Sequence, residues 1–186
     1  PFSEVAECWE LCNNQGSRCS FKKADFEEVD EKGALTVLND FEVRYHADAD
    51  NIENAIYGDH KNDKADDFSA VPQAERNAYI LNRMKNLEDL VKWLVSVDAE
   101  AATGQPLETP YVVNETTSYT TDTAEYRLAK FTKEFKDHFD EEYCTVYYIM
   151  TELLLCYDSR GKNLMLATWG PQVEGGNYIW YPIFYD

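Results

Sequence analysis

Four polar side chains near the end of the sequence have types and spacing suited to phosphoryl transfer: Asp158, Lys162, Asn163 and Asp186. That reaction needs a base beside the acceptor hydroxyl and oxygen ligands that hold magnesium against the phosphates. Asp158 supplies a carboxylate for the base. The amide oxygen of Asn163 and the carboxylate of Asp186 suit magnesium, a hard ion that prefers oxygen. Lys162, next to Asn163, would offset charge on the transferred group. Asp158 and Asn163 stand five positions apart, the separation of the catalytic Asp and metal-binding Asn in a kinase loop. Cys156-Tyr157 occupies the place of the His-Arg that precedes the Asp in that loop. A plainer reading has Asp158 capping the loop, Asn163 satisfying backbone groups in a turn and Asp186 solvated at a strand end.

These residues depend on the elements that hold them. EEYCTVYYIMTELLLCYD, from Glu141, is apolar nearly all round and long enough for a buried helix. SRGKN is the join. LMLATW and YIWYPIFYD are short aromatic and β-branched runs separated by Gly170-Pro171 and Gly175-Gly176-Asn177, and they read as a β-hairpin. Buried helix, loop, hairpin and terminal acid would gather Asp158, Asn163 and Asp186 around one pocket.

Upstream, CWEL and CSF flank the turn Asn13–Arg18 and predict an N-terminal hairpin in which Cys12 and Cys19 could face each other. Phe41–His46 alternates as a half-buried strand with Phe41, Val43 and Tyr45 inward. Residues 47–70 are polar and rich in Asp and Asn, so they predict a loop with a helical turn near Ile52–Tyr57. From Pro72 to Val97 an amphipathic helix follows, because Ile80, Met84, Leu87, Val91 and Leu94 recur at spacings of four and three. Gly104, Pro106 and Pro110 end it, and Thr109–Thr123 reads as an exposed loop. Asp122 as N-cap with Glu125 three residues on opens a second helix, whose inner stripe is Ala124, Leu128, Phe131, Phe135 and Phe139. Asp140 and Glu141 cap the apolar helix. The class is α+β: a small N-terminal β part over residues 1–46, then residues 47–186 with a helical middle and the helix-loop-hairpin.

Charge narrows the partners. With 35 acidic against 17 basic residues the net charge is −18, which argues against nucleic acid, since phosphate binding needs a basic face. It suits metal ions and basic partners. No run reaches the length of a membrane span; Tyr143–Tyr157 comes closest and is interrupted by Thr151 and Glu152. No signal peptide is visible, and the ends, Pro1 without an initiator Met and Asp186 directly after a strand, read as cuts in a longer protein. The five cysteines match no zinc template and read as reduced packing thiols in a virion or cytoplasmic setting, though a Cys12–Cys19 bridge remains an option. His46, His60 and His138 are scattered and read as surface residues. There is no GxSxG, and nothing selects a glycosidase pair from Glu10, Glu42 and Glu152. Trp93, Trp169 and Trp180 suit core and interface packing more than a sugar-binding face, and thirteen tyrosines suit half-buried strands and subunit surfaces.

The run TELLLCYDSRGKNLMLATWG…IWYPIFYD resembles the C-lobe of the spore-coat kinase family, in which an Asp-and-Asn loop follows a buried helix and a Trp/Pro-Asp motif ends the next hairpin. It resembles more closely still the segment of this type in large, often tail-associated phage structural proteins. CWELCNNQGSRCSF, FEVRYH and the helix through Lys92-Trp93-Leu94 share that likeness. The resemblance implies Asp158 as the catalytic-loop carboxylate, with Asn163 and Asp186 holding metal at the nucleotide phosphates. The family's strand lysine has no counterpart; Arg44 in FEVRYH is the nearest basic group for the nucleotide, with Lys22 a lesser candidate. A Gly-rich phosphate loop is missing, and Asn14–Gly16 is a poor substitute. The expectation is therefore a structural virion domain on a kinase-like frame, with other virion proteins or copies of itself as partners. Its competitor is an atypical kinase that uses magnesium and ATP. A third function, receptor or glycan binding by exposed aromatics, is weaker.

Overall fold

The computed structural model describes residues 5–11, 25–46, 52, 70–156, 158–161 and 164–184. The class is α+β, as the sequence predicts, with N-terminal strands, a helical middle and a C-terminal hairpin. Strand β1 (Glu7–Leu11) runs between β2 (Phe41–His46) and β5 (Met165–Pro171), and β6 (Tyr178–Ile183) lies outside β5. All of these pairings are antiparallel, so strands from both sides of residue 46 share one sheet. Alternation along the strands assigns two faces. Trp9, Leu11, Phe41, Val43, Leu166 and Trp180 share the inner face and are buried. Cys8, Glu10, Met165, Ala167 and Tyr181 take the outer face, because Cys8 pairs with Ala167, Glu10 with Met165 and Ala167 with Tyr181.

One expectation for the first strands changes. Tyr45 pairs with Cys8 while Val43 pairs with Trp9, so Arg44 is an extra residue in β2. That bulge turns Tyr45 to the outer face, where plain alternation places it inward. β1 pairs with β2 and β5. The arm Cys19-Ser20-Phe21, the turn Asn13–Arg18 and Cys12 lie outside the described residues. Cys8, Cys144 and Cys156 are free thiols.

The long amphipathic segment forms in two pieces, α1 (Gln73–Arg83) and α2 (Lys85–Ser96), which meet at Met84. Hydrogen bonds from Met84 N to Ile80 O and from Glu88 N to Met84 O carry the ladder across the joint. The stripe therefore continues across the joint: Ile80, Met84, Leu87 and Val91 are buried in the core, and Leu94 packs beside them. Ile52, the one described residue between 47 and 69, is buried in the same core.

Where a Thr-rich loop is predicted, the chain forms a hairpin of β3 (Pro106–Val112) and β4 (Ser118–Thr121). β-branched and aromatic residues favour an extended chain, and Asn114 closes the turn by accepting from the amides of Thr116 and Thr117 at 3.0 and 2.9 Å. The next helix, α3 (Ala124–Glu134), is capped one residue later than predicted, by Thr123, whose hydroxyl accepts from Tyr126 N at 3.2 Å. Asp122 is instead buried against Arg127, which donates to it at 2.5 and 2.7 Å, and against the Thr103 hydroxyl at 2.8 Å. Tyr126 meets the rings of Tyr111 and Tyr119 from the hairpin, so the start of α3 faces inward through Tyr126 and Arg127. Ala124 and Leu128 are consequently exposed, while Phe131, Phe135 and Phe139 join the core as predicted.

The apolar helix, α4 (Glu141–Leu153), forms where the sequence places it, with Asp140 accepting from Tyr143 N at 2.8 Å as its cap. It is not buried all round. Tyr147 and Thr151 are its buried residues, and Tyr143 and Tyr147 set it on Tyr181 and Phe184. Uniform apolarity cannot reveal which side of a helix a sheet covers; here one side is covered and another faces outward. The short helix α5 (Asp158–Gly161) and the predicted hairpin β5–β6 follow. Gly170 has φ +99° in that hairpin, and a Cβ there would lie 2.8 Å from a methyl of Val5, so only glycine fits.

Candidate functional site

Of the residues selected for phosphoryl transfer, Lys162, Asn163 and Asp186 lie outside the described residues. Asp158 opens α5. Its neighbours are tied down: the carbonyl of Ser159 accepts from the Tyr147 hydroxyl at 2.6 Å, and Arg160 pairs with Glu152 while covering the Tyr148 ring. Ser159 and Arg160 are thus bound to α4 itself through Tyr147, Tyr148 and Glu152.

Arg44, the candidate for nucleotide phosphates, is the bulge residue of β2. Its guanidinium pairs with Glu10 and with Glu42, at 3.0 Å for the latter. Both carboxylates stand on the outer face of the sheet, so an incoming phosphate would have to displace one of them. Arg44 borders a cavity of about 250 Å3 whose walls are mainly apolar, among them Ala6, Cys8, Trp169 and Ile183. Burial pushes the Cys8 thiol up, away from the reactive thiolate. This cavity suits an apolar side chain better than a nucleotide.

A second cleft was missed by the sequence reading. His138, expected at the surface, is half-buried, and its ring lies over the Trp93 indole with centroids 4.1 Å apart. Burial holds its pKa below the usual 6.5, so the imidazole is neutral at pH 7. Its carbonyl accepts from Trp180 N at 2.8 Å, which ties the segment before α4 to the edge strand β6. Asn86, Asp89, Asn177 and Tyr178 join His138 around about 180 Å3, and a neighbouring groove of about 440 Å3 carries Lys136 and Asp137. The signal was present: His138 stands seven residues after Phe131 and three after Phe135, on their helical face. Such a cleft can hydrogen-bond a small polar group. Among the described residues, no group of three or more His, Cys, Asp or Glu side chains is placed to hold a metal ion.

The most unusual surface belongs to α4. Val146, Ile149, Met150, Leu153 and Leu154 follow the i, i+3, i+4, i+7, i+8 spacing of one helical face, and they are 38% to 72% exposed. That stripe lies roughly 120° around the helix from Tyr147 and Thr151, the side that meets the protein. Tyr143 borders it and leads through Tyr181, at 5.3 Å between ring centroids, to Trp169, at 5.2 Å, so the patch continues onto the hairpin. Past the helix end, Leu155 is 67% exposed and adopts φ +57°. Glycine or asparagine is the usual occupant of that conformation. No helix among the described residues is long and apolar enough to cross a membrane. The chain matches no family model, no curated protein and no solved structure.

Proposed function

We propose that the chain is a structural domain of a bacteriophage virion protein, tail-associated, held in its assembly through the outer face of α4. One observation carries this reading: five apolar side chains at helical spacing stand exposed on a face turned away from the sheet. Single exposed leucines need no explanation, but an aligned set forms the contiguous patch that marks interaction surfaces. These side chains are already about half covered, so burying the rest would contribute roughly 5 kcal/mol at about 2 kcal/mol for each fully buried aliphatic side chain. A helix with no partner on that side carries polar residues there. The aromatic content and the likeness of CWELCNNQGSRCSF and FEVRYH to phage structural proteins support a place in the particle. Immunogold labelling of purified particles tests this. Antibody against the chain should decorate the tail at symmetry-related positions, and label confined to the host cytosol would refute it.

A further inference from the structure

We infer that the outer face of α4 docks an amphipathic helix of a partner protein, one that carries lysine or arginine beside its own apolar stripe. This rests on reading that face as an assembly surface and adds the chemistry of what covers it. Charge selects the occupant. A second copy would bring −18 against −18, whereas a basic partner gains from the same field. The acids on α4 and at its N-cap are Asp140, Glu141, Glu142 and Glu152; Glu141 is paired with Lys136 and Glu152 with Arg160, and Asp140 caps the helix. Glu142 stands one turn before Val146, in line with the stripe, where it would meet a cation at one end of a docked helix. Leu155 supplies an independent sign. Its left-handed backbone would be relaxed by glycine, yet a large exposed leucine occupies the position, extending Leu153 and Leu154 past the helix end.

The probe is a fluorescent helical peptide of leucine and lysine in heptad pattern, with a leucine–glutamate peptide of the same pattern as control, read by anisotropy at low and high salt. The leucine–lysine peptide should bind and the control should not. Ile149→Asp with Leu153→Asp, both at exposed positions, should weaken binding at least about tenfold with circular dichroism unchanged. Leu155→Gly should weaken binding about threefold while raising Tm, opposite signs that a purely structural role for Leu155 does not produce. Equal binding of the lysine peptide to wild type and the double variant would overturn the inference, since it would report diffuse attraction to an acidic surface. Equal binding of the two peptides would overturn it as well. Light scattering separates the remaining failures. A wild-type dimer that the double variant converts to a monomer overturns the basic partner but keeps α4 as an assembly surface. A monomer in both, with neither peptide bound, overturns both readings.

Discussion

Replacing Asp122 by alanine should destabilise the fold by about 2 kcal/mol, below the loss on breaking a fully buried ion pair, because this pair is only partly buried. Asp122 is 8% exposed and accepts from Arg127 Nε and Nη2 and from the Thr103 hydroxyl and amide. Two charge-assisted bonds in a fully buried setting would be worth roughly 3 to 6 kcal/mol together. The pair is only partly buried, and Arg127 keeps two other acceptors, the carbonyls of Val95 and Asp98 at 3.0 and 3.2 Å, so its guanidinium is not left without partners and the loss falls below that range. The effect depends on pH with a defined sign. The Arg127 guanidinium holds the Asp122 carboxyl well below the usual carboxylate range. A depressed folded-state pKa gives stability that is full above the ordinary 3.8 and lost as the pH falls below it. Urea unfolding followed by tryptophan fluorescence, at pH 7 and below pH 3.8, measures both parts. A loss under about 1 kcal/mol at pH 7 would refute the reasoning, as would Arg127→Met having the same effect with and without Asp122.

Three further outcomes follow from other sites. Burial raises the Glu7 pKa although Trp9 Nε1 and Asn86 Nδ2 donate to its oxygens at 3.0 and 2.6 Å, so its contribution is present below pH 4.5 and fades as the pH rises through the raised value. Glu7→Gln should flatten that decline in a series of Tm measurements from pH 4.5 upward; parallel curves for the two proteins would count against it. His138 is held neutral by burial, which makes its contribution full above pH 6.5 and lost as the pH falls below it. His138→Phe, which keeps a ring on Trp93, should reduce the loss of Tm between neutral pH and pH 5, and an unchanged acid slope would contradict this. The kinase reading requires transfer of label from ATP in the presence of magnesium, abolished by Asp158→Ala and by Asp186→Ala. Labelling that is absent, or equal in all three proteins, removes it.

Local pattern made much of the fold legible. The spacing of Ile80, Met84, Leu87 and Val91 marks a covered helical face, the two glycine-containing breaks mark the β5–β6 hairpin, and Asp140 marks the start of α4. Each of these signals acts within a few residues. The Thr-rich hairpin was missed because two short exposed strands lack a buried face to reveal the alternation. Asp122 was misread because a cap and a buried ion pair use the same carboxylate, and the choice between them depended on where Arg127 and Thr103 met it. The candidate phosphoryl-transfer set was legible only as residue types and spacing. Arg44 acquires its role from the bulge and from Glu10, thirty-four positions earlier, which no spacing rule connects to it.

The class, the order of most elements, the acidic field and the apolar character of the segment from Glu141 could all be read from the residues in order. All of these follow from composition and from contacts between residues near one another along the chain. The place of β1 between β2 and β5, the stacking of His138 on Trp93, and the turning of one apolar side of α4 to the sheet and another outward all came from packing between distant segments. A helix apolar on several sides has the same pattern whichever side is covered. Its exposed face becomes defined only when Tyr181 and Phe184, more than thirty residues on, meet Tyr143 and Tyr147.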